Sequence, residues 1–226
     1  MTAAFDHLVV GAATLDEAVA WCERTLRRTP DPGGAHPLFG THNRLLRLDG
    51  CERAYLELIA VNPAARPTRA APLKRWFDLD QPAMARRLAA HGPQAIHWVA
   101  RVADIEAARR TWLALGIDPG PVLTASRETP RGLLQWRITV RDDGARLFDG
   151  VLPTLIQWGG LHPTSTLPPS GLQLQGLSLA HTEATTVRAA LDAIGLHTVA
   201  VRHGAPAIGA QLPAADLPAL TLHTPP

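Results

Sequence analysis

Four polar side chains stand inside runs that otherwise read as buried strands: His7 in DHLVVGA, Glu57 in YLELIAV, His97 in IHWVARV and Gln157 in LPTLIQW. A strand points alternate residues to opposite faces, so His7 shares a face with Val9, His97 with Val99, and Glu57 with Tyr55 and Ile59. An unpaired carboxylate in such a place is costly, and Glu57 therefore needs a cation or a hydrogen-bonding partner. One divalent metal ion would satisfy it. Two neutral imidazoles, a carboxylate and an amide oxygen suit Zn, Ni, Fe(II), Mn or Co, with positions left open for water and substrate. On this reading His7, Glu57, His97 and Gln157 are the metal ligands, and Glu57 doubles as the catalytic proton carrier. The plainer alternatives are an ion pair from Glu57 to Arg44, Arg47 or Arg137, and histidines bonded to backbone in the core.

A second group could meet a substrate. The stretch from His36 to Arg44, HPLFGTHNR, brings His42, Asn43 and Arg44 to the start of a strand, where a loop can overhang a site or simply turn. Arg131 and Arg137 flank the longest strand-like run and are candidates for a substrate carboxylate, although most arginines are solvated.

The elements that must position these residues repeat. Asp6 to Ala12 reads as a strand, Thr14 then caps the amphipathic run LDEAVAWCERTL, and Glu17 stands at the capping-box position. Ile96 to Val102 is again a strand, and Asp104 opens the helix IEAARRTWLAL, which Gly116 stops. A third opening follows at LQGLSLA, with the helix EATTVRAALDAI stopped by Gly195. Short strand-like segments follow each helix, so the unit is βαβββ. Histidines 7 and 97 are repeat equivalents. Counting back from Gly195 places Gly176 opposite His97, and the final run LPALTLH sets Leu222 opposite Gln157, so the third copy is expected to be metal-free and structural. Pro-rich stretches at Asn62 to Lys74 and Gly159 to Gly171 read as linkers, and AMARRLAAH after Pro82 reads as a connecting helix. The expected organisation is a first module at 1–62, linker and connecting helix at 63–94, a second module at 95–160 and a third, degenerate one at 172–226.

Bulk composition narrows the function classes. The 226 residues are 46% hydrophobic and 19% charged with a net charge of +2, which describes a globular chain with no basic stripe for nucleic acid. No apolar run approaches the roughly 18 residues a membrane helix requires. Asp6 and His7 interrupt what would have to be a signal peptide's apolar stretch, so a cytoplasmic location is expected. The two cysteines lack CxxC spacing and read as ordinary thiols. The six tryptophans read as core, and the histidines of the second linker and third copy, His162 and His181 among them, as surface or capping residues.

With these motifs assembled, the chain resembles the vicinal-oxygen-chelate superfamily, whose repeats carry His or Gln on the first strand and Glu or Gln on the last. FDHLVVGAATLDEAVAW, HPLFGTHNRLLRL and YLELIAV more narrowly resemble its glyoxalase-like domain group. The resemblance implies an α+β fold in which tandem βαβββ modules form one cup-shaped mixed sheet, with a metal bound between them and chelated by vicinal oxygens of the substrate. An acid is common where Gln157 stands, and glutamine can ligate but cannot shuttle a proton. The implied activity is a divalent-metal-dependent lyase or isomerase acting on a small molecule. A non-haem Fe(II) extradiol-type dioxygenase using His7, His97 and Glu57 is an alternative. So is a metal-free binding protein of the bleomycin-resistance type. The expected partner is a small-molecule substrate, without nucleic acid or membrane, and a homodimer is left open.

Overall fold

The computed structural model describes residues 2–129, 132–214 and 217–223, so Pro130 and Arg131 of the predicted turn lie outside the described residues. The first module runs β1 (Ala4–Gly11), α1 (Leu15–Leu26), β2 (Asp31–His36), β3 (Thr41–Arg47) and β4 (Tyr55–Val61). After the connecting helix α2 (Pro82–His91), the second runs β5 (Gln94–Arg101), α3 (Ile105–Ala114), β6 (Val122–Thr129), β7 (Gly132–Thr139) and β8 (Thr154–Trp158). The helices start where side chains can serve their free N–H groups. Thr14 Oγ1 accepts from Glu17 N at 3.1 Å, Asp104 Oδ1 accepts from Ala107 N at 3.0 Å, and Pro82 opens α2. Among the described residues no helix is long and apolar enough to cross a membrane.

All eight strands form one sheet in the order β2-β3-β4-β1-β5-β8-β7-β6. Within each module the first strand pairs in parallel with the last, and β1 pairs antiparallel with β5 to join the halves. Period-two alternation divides the side chains between two apolar layers. Leu8, Val10, Leu56, Leu58, Trp98 and Leu155 meet the helices, while Val9, Ile59, Val99, Ile138 and Ile156 line the concave face.

The third copy has the same element sequence but a different pairing. Its strands are β9 (Gly176–His181), β10 (Ala200–His203), β11 (Ala207–Ala214) and β12 (Leu217–His223), with α4 (Ala184–Ala193) after the first. Their order is β10-β9-β11-β12, so the strand after the helix lies directly beside β9 and the last strand lies at the far edge. Leu222 therefore has no spatial counterpart to Gln157. This small sheet lies on the helical side, where Trp112 of α3 donates from Nε1 to Ala190 O of α4 at 2.8 Å and Ala3 N donates to Ile194 O at 3.0 Å.

Trp112 is fully buried in that joint. Trp112→Phe keeps most of the ring but leaves Ala190 O without its indole donor, and is expected to lower the unfolding free energy by about 1 kcal/mol. Trp112→Ala, which also opens a cavity, should cost about 3–5 kcal/mol. Urea denaturation of both variants measures the difference.

Candidate active site

Most polar groups of the concave face come from the first module. Val9 and Glu57 are register partners across β1 and β4, as are His7 and Tyr55, so these side chains rise on the same side. The imidazole of His7 stacks on Tyr55 with ring centroids 4.4 Å apart, and its Nε2 stands 3.6 Å from Glu57 Oε2. That gap is too long for a hydrogen bond.

A β-bulge adds a further group. The β1–β5 register slips between Phe5 and His7, so that Asp6 is the extra residue and shares the concave side with His7. Asp6 is fully buried, accepting from His7 Nδ1 at 2.7 Å, Trp158 Nε1 at 3.0 Å and His162 Nε2 at 3.2 Å. Burial alone would raise the Asp6 pKa, but the bonds from His162 and His7 outweigh it and hold the carboxyl well below the usual range. Because the Asp6 carboxylate only accepts, His7 carries its proton on Nδ1, and Nε2 is the atom that faces Glu57.

The other end of the chain of bonds is equally determined. Asn43 Oδ1 accepts from Gly34 N at 2.8 Å, so its amide nitrogen is the donor to Glu57 Oε1 at 2.6 Å. The same nitrogen lies 3.3 Å from His36 Nε2, which must accept, leaving Nδ1–H for Thr41 Oγ1 at 3.0 Å. His36 is thus held neutral, in agreement with a pKa pushed down to about 3 by burial and then by the nearby charges of Arg127 and His7. Glu57 has one oxygen committed to Asn43 and the other facing the gap.

These groups border a cavity of about 30 Å³, enough for one or two waters, which Arg127 of β6 also lines. Trp76 and Phe77, from the first linker, roof it. Trp76 stacks on Phe39 at 3.9 Å and on Phe77 at 4.8 Å, and Asp78 beside them accepts from Arg146 Nε at 2.6 Å. The opposite wall, from β7 and β8, is apolar: Leu134, Trp136, Ile138 and Ile156.

A family model described as a glyoxalase-like domain matches residues 5–195. The chain belongs to the glyoxalase-like domain family. The fold agrees with that of a hypothetical protein from Staphylococcus aureus, 15% identical, with a TM-score of 0.59 over 91% of this chain and 88% of that one. A Streptomyces coelicolor methylmalonyl-CoA epimerase is 17% identical with a TM-score of 0.44, covering 72% of this chain and 99% of its own. The Mycobacterium tuberculosis methylmalonyl-CoA epimerase is also 17% identical, with a TM-score of 0.40 over 71% of this chain and 90% of that one. No curated protein matches.

This glyoxalase-like chain does not gather the four residues that its strands suggested as metal ligands. His7 and Glu57 come together. His97 does not join them, because its Nε2 accepts from Thr154 N at 3.1 Å and its Nδ1 donates to Gly150 O at 2.9 Å. Burial, then Arg146, pushes its pKa down to about 3. Gln157 faces the helices on the other side of β8, where Oε1 accepts from Ile105 N at 3.0 Å and caps α3. Among the described residues no group of three or more His, Cys, Asp or Glu side chains has metal-site geometry. The donor set therefore does not fit a four-ligand ion, nor the two-histidine, one-carboxylate centre of a dioxygenase.

The substrate-contact candidates divide in the same way. Asn43 is at the centre of the site. His42 and Arg44 alternate onto the helical face of β3, where His42 lies near Asp16 of α1. Arg137 points outward to an ion pair with Glu106. His162, expected at the surface or as a cap, does cap a short 3₁₀ turn but is buried against Asp6. His181 is likewise buried, with Nδ1 accepting from Glu183 N at 3.0 Å. The residues that sequence reasoning passed over are Asp6, Arg127 and the pair Trp76–Phe77. A signal existed for two of them: adjacent polar residues at the start of an alternating strand betray a bulge, and Leu123, Ala125 and Arg127 keep period two.

Two outcomes are expected. Gln157→Leu should lower stability by about 1 kcal/mol through the lost cap while leaving ligand affinity in the cup unchanged. Thermal melts and a binding titration check both. Stability should also fall with acid. His36 and His97 have folded pKa values of about 3 against 6.5 when unexposed to these effects. Between those limits the unfolded chain takes up protons that the folded one refuses. Their contribution is complete above pH 6.5 and declines below it, by up to about 1.4 kcal/mol per pH unit for each histidine. Asp6, held low, adds to the loss only below the ordinary carboxylate range. Urea titrations between about pH 7 and pH 4 would show the slope.

Proposed function

We propose that this glyoxalase-like chain is a small-molecule enzyme of the lyase or isomerase type, in which Glu57 moves a proton on a substrate carrying neighbouring oxygens. One observation carries the reading: Asp6, His7, Glu57 and Asn43 form a buried series broken only by the 3.6 Å gap between His7 Nε2 and Glu57 Oε2. Asn43 occupies Oε1, so Oε2 is the atom free to accept a proton from a carbon beside a carbonyl. His7, fixed by Asp6 with Nε2 inward, is placed across the gap to exchange a proton with the substrate oxygen. Returning the proton to carbon completes an isomerisation, and departure of a group from the neighbouring carbon completes an elimination. Because His97 and Gln157 are engaged elsewhere, no step is routed through a metal ion.

A second reading, sequestration of a small ligand without turnover, is favoured by the aromatic roof over the cavity. The two separate in deuterated water. Incubation with a panel of 2-oxo acids, 2-hydroxyaldehydes and acyl thioesters, read by NMR, should show deuterium entering the α-position of at least one compound. Glu57→Gln should slow that exchange by about 10²–10⁴-fold with the fold intact. Binding without exchange in the wild type supports sequestration, and exchange that survives Glu57→Gln removes Glu57 as the base.

A further inference from the structure

We propose that Arg127 is the anion anchor of this cup, and that the ligand presents a carboxylate to it. The assignment rests on the cup being the ligand site, as proposed above, and it names the class of molecule that enters.

Arg127 reaches the cavity from β6 by crossing to the opposite edge of the sheet, where β2 runs. A Cβ on Gly34 of β2 would lie 2.1 Å from Arg127 Nη1, so the guanidinium occupies its present place because residue 34 has no side chain. Arg127 lines the same cavity as His7, Asn43 and Glu57. It is not consumed there. Nη1 is buried with no hydrogen-bond partner, and the carboxylate of Glu57 takes its bond from Asn43 instead. A second donor in the same lining, Nε1 of the buried Trp76, is also without a partner. Buried donors are ordinarily satisfied, so two orphans on one cavity mark a place where an acceptor belongs. Burial, the first cause, draws the Arg127 pKa down, as befits a cation that has given up water.

The shape of the required acceptor follows from the donor. A guanidinium offers parallel N–H groups in a fixed fork that matches the two oxygens of a carboxylate. The space limits what else the ligand carries. The inner cavity is about 30 Å³, while a chamber of about 270 Å³ adjoins it across His36 and Trp136, with Phe39 and Gln135 on its walls. A short acid would set its carboxylate and neighbouring oxygen inward and leave any tail in the outer chamber.

The test uses binding alone, so it stands apart from turnover. Glycolate, lactate and 2-hydroxybutyrate, each beside its primary amide, are titrated into the intact protein and followed by NMR. At least one acid should bind at least 10-fold more tightly than its amide. Arg127→Gln should weaken that acid at least 10-fold, and Arg127→Lys should recover part of the loss. Gly34→Ala should weaken it too, because the new methyl group displaces the guanidinium while Arg127 remains. Gln157→Leu, whose side chain lies on the helical side of β8, should retain the binding, and because the readout is affinity without turnover, failure of the anchor is distinguished from failure of the base. The proposal is overturned if no acid outbinds its amide, or if Arg127→Gln binds within 2-fold of the wild type.

Discussion

A carboxylate removed from water is costly by several kcal/mol unless donors surround it, and Asp6 is fully buried in the strand that joins the two halves of the cup. The donors come from separate parts of the chain. His7 follows it in β1, Trp158 closes β8, and His162 lies in the linker that leads to the third module. The bulge in β1 is what allows Asp6 and His7 to lie on one side together. Without it strict alternation would send one of them into the helical layer, where a charge has no partner.

This arrangement fixes more than stability. Because Asp6 takes the Nδ1 proton of His7, the imidazole cannot turn over or change tautomer without stranding the carboxylate, and Nε2 is held toward Glu57. Asn43 does the corresponding task on the other side, its amide oriented by the Gly34 N–H. The two central groups are held from behind by bonds that do not involve the cavity, which is how a site keeps its geometry before a ligand arrives. His162 also makes the second linker part of that support, so the path toward the third module is bonded to the residue behind His7.

Much of this was legible in the sequence, and the failures have physical reasons. His7 and Glu57 could be placed because β1 and β4 pair in parallel with a continuous register, and alternation then fixes their common side. Gln157 was misplaced by aligning like with like. In β8 the concave positions are Ile156 and Trp158, and a slip of one residue in a strand exchanges its faces. His97 lies at the second register slip of the central pair, between Val9 and Val10, and its orientation depends on carbonyl and amide groups far along the chain. The order of elements in the third copy could be read, but its pairing could not, because βαβββ is compatible with placing the post-helix strand either at the edge or beside the first. Alternation along β6 gives the face of Arg127, but its place also depends on Gly34 of a distant strand, a contact that no local pattern reveals.

The two halves of the sheet are alike in strand order and unlike in chemistry. In the first module the concave positions hold His7, His36, Asn43 and Glu57; in the second they hold Leu134, Trp136, Ile138 and Ile156. The polar residues that the second module does possess have been turned to holding itself together, His97 by tying Gly150 to Thr154 and Gln157 by capping α3. A symmetric cup with equivalent ligands on both sides would receive a ligand in either of two orientations. Here an apolar wall faces a hydrogen-bonded one, and Arg127, the charged group that the second module contributes to the cavity wall, sits at the seam where β6 meets β2. The duplication thus provides the shape of the cup, and the divergence of its second copy gives that shape a direction.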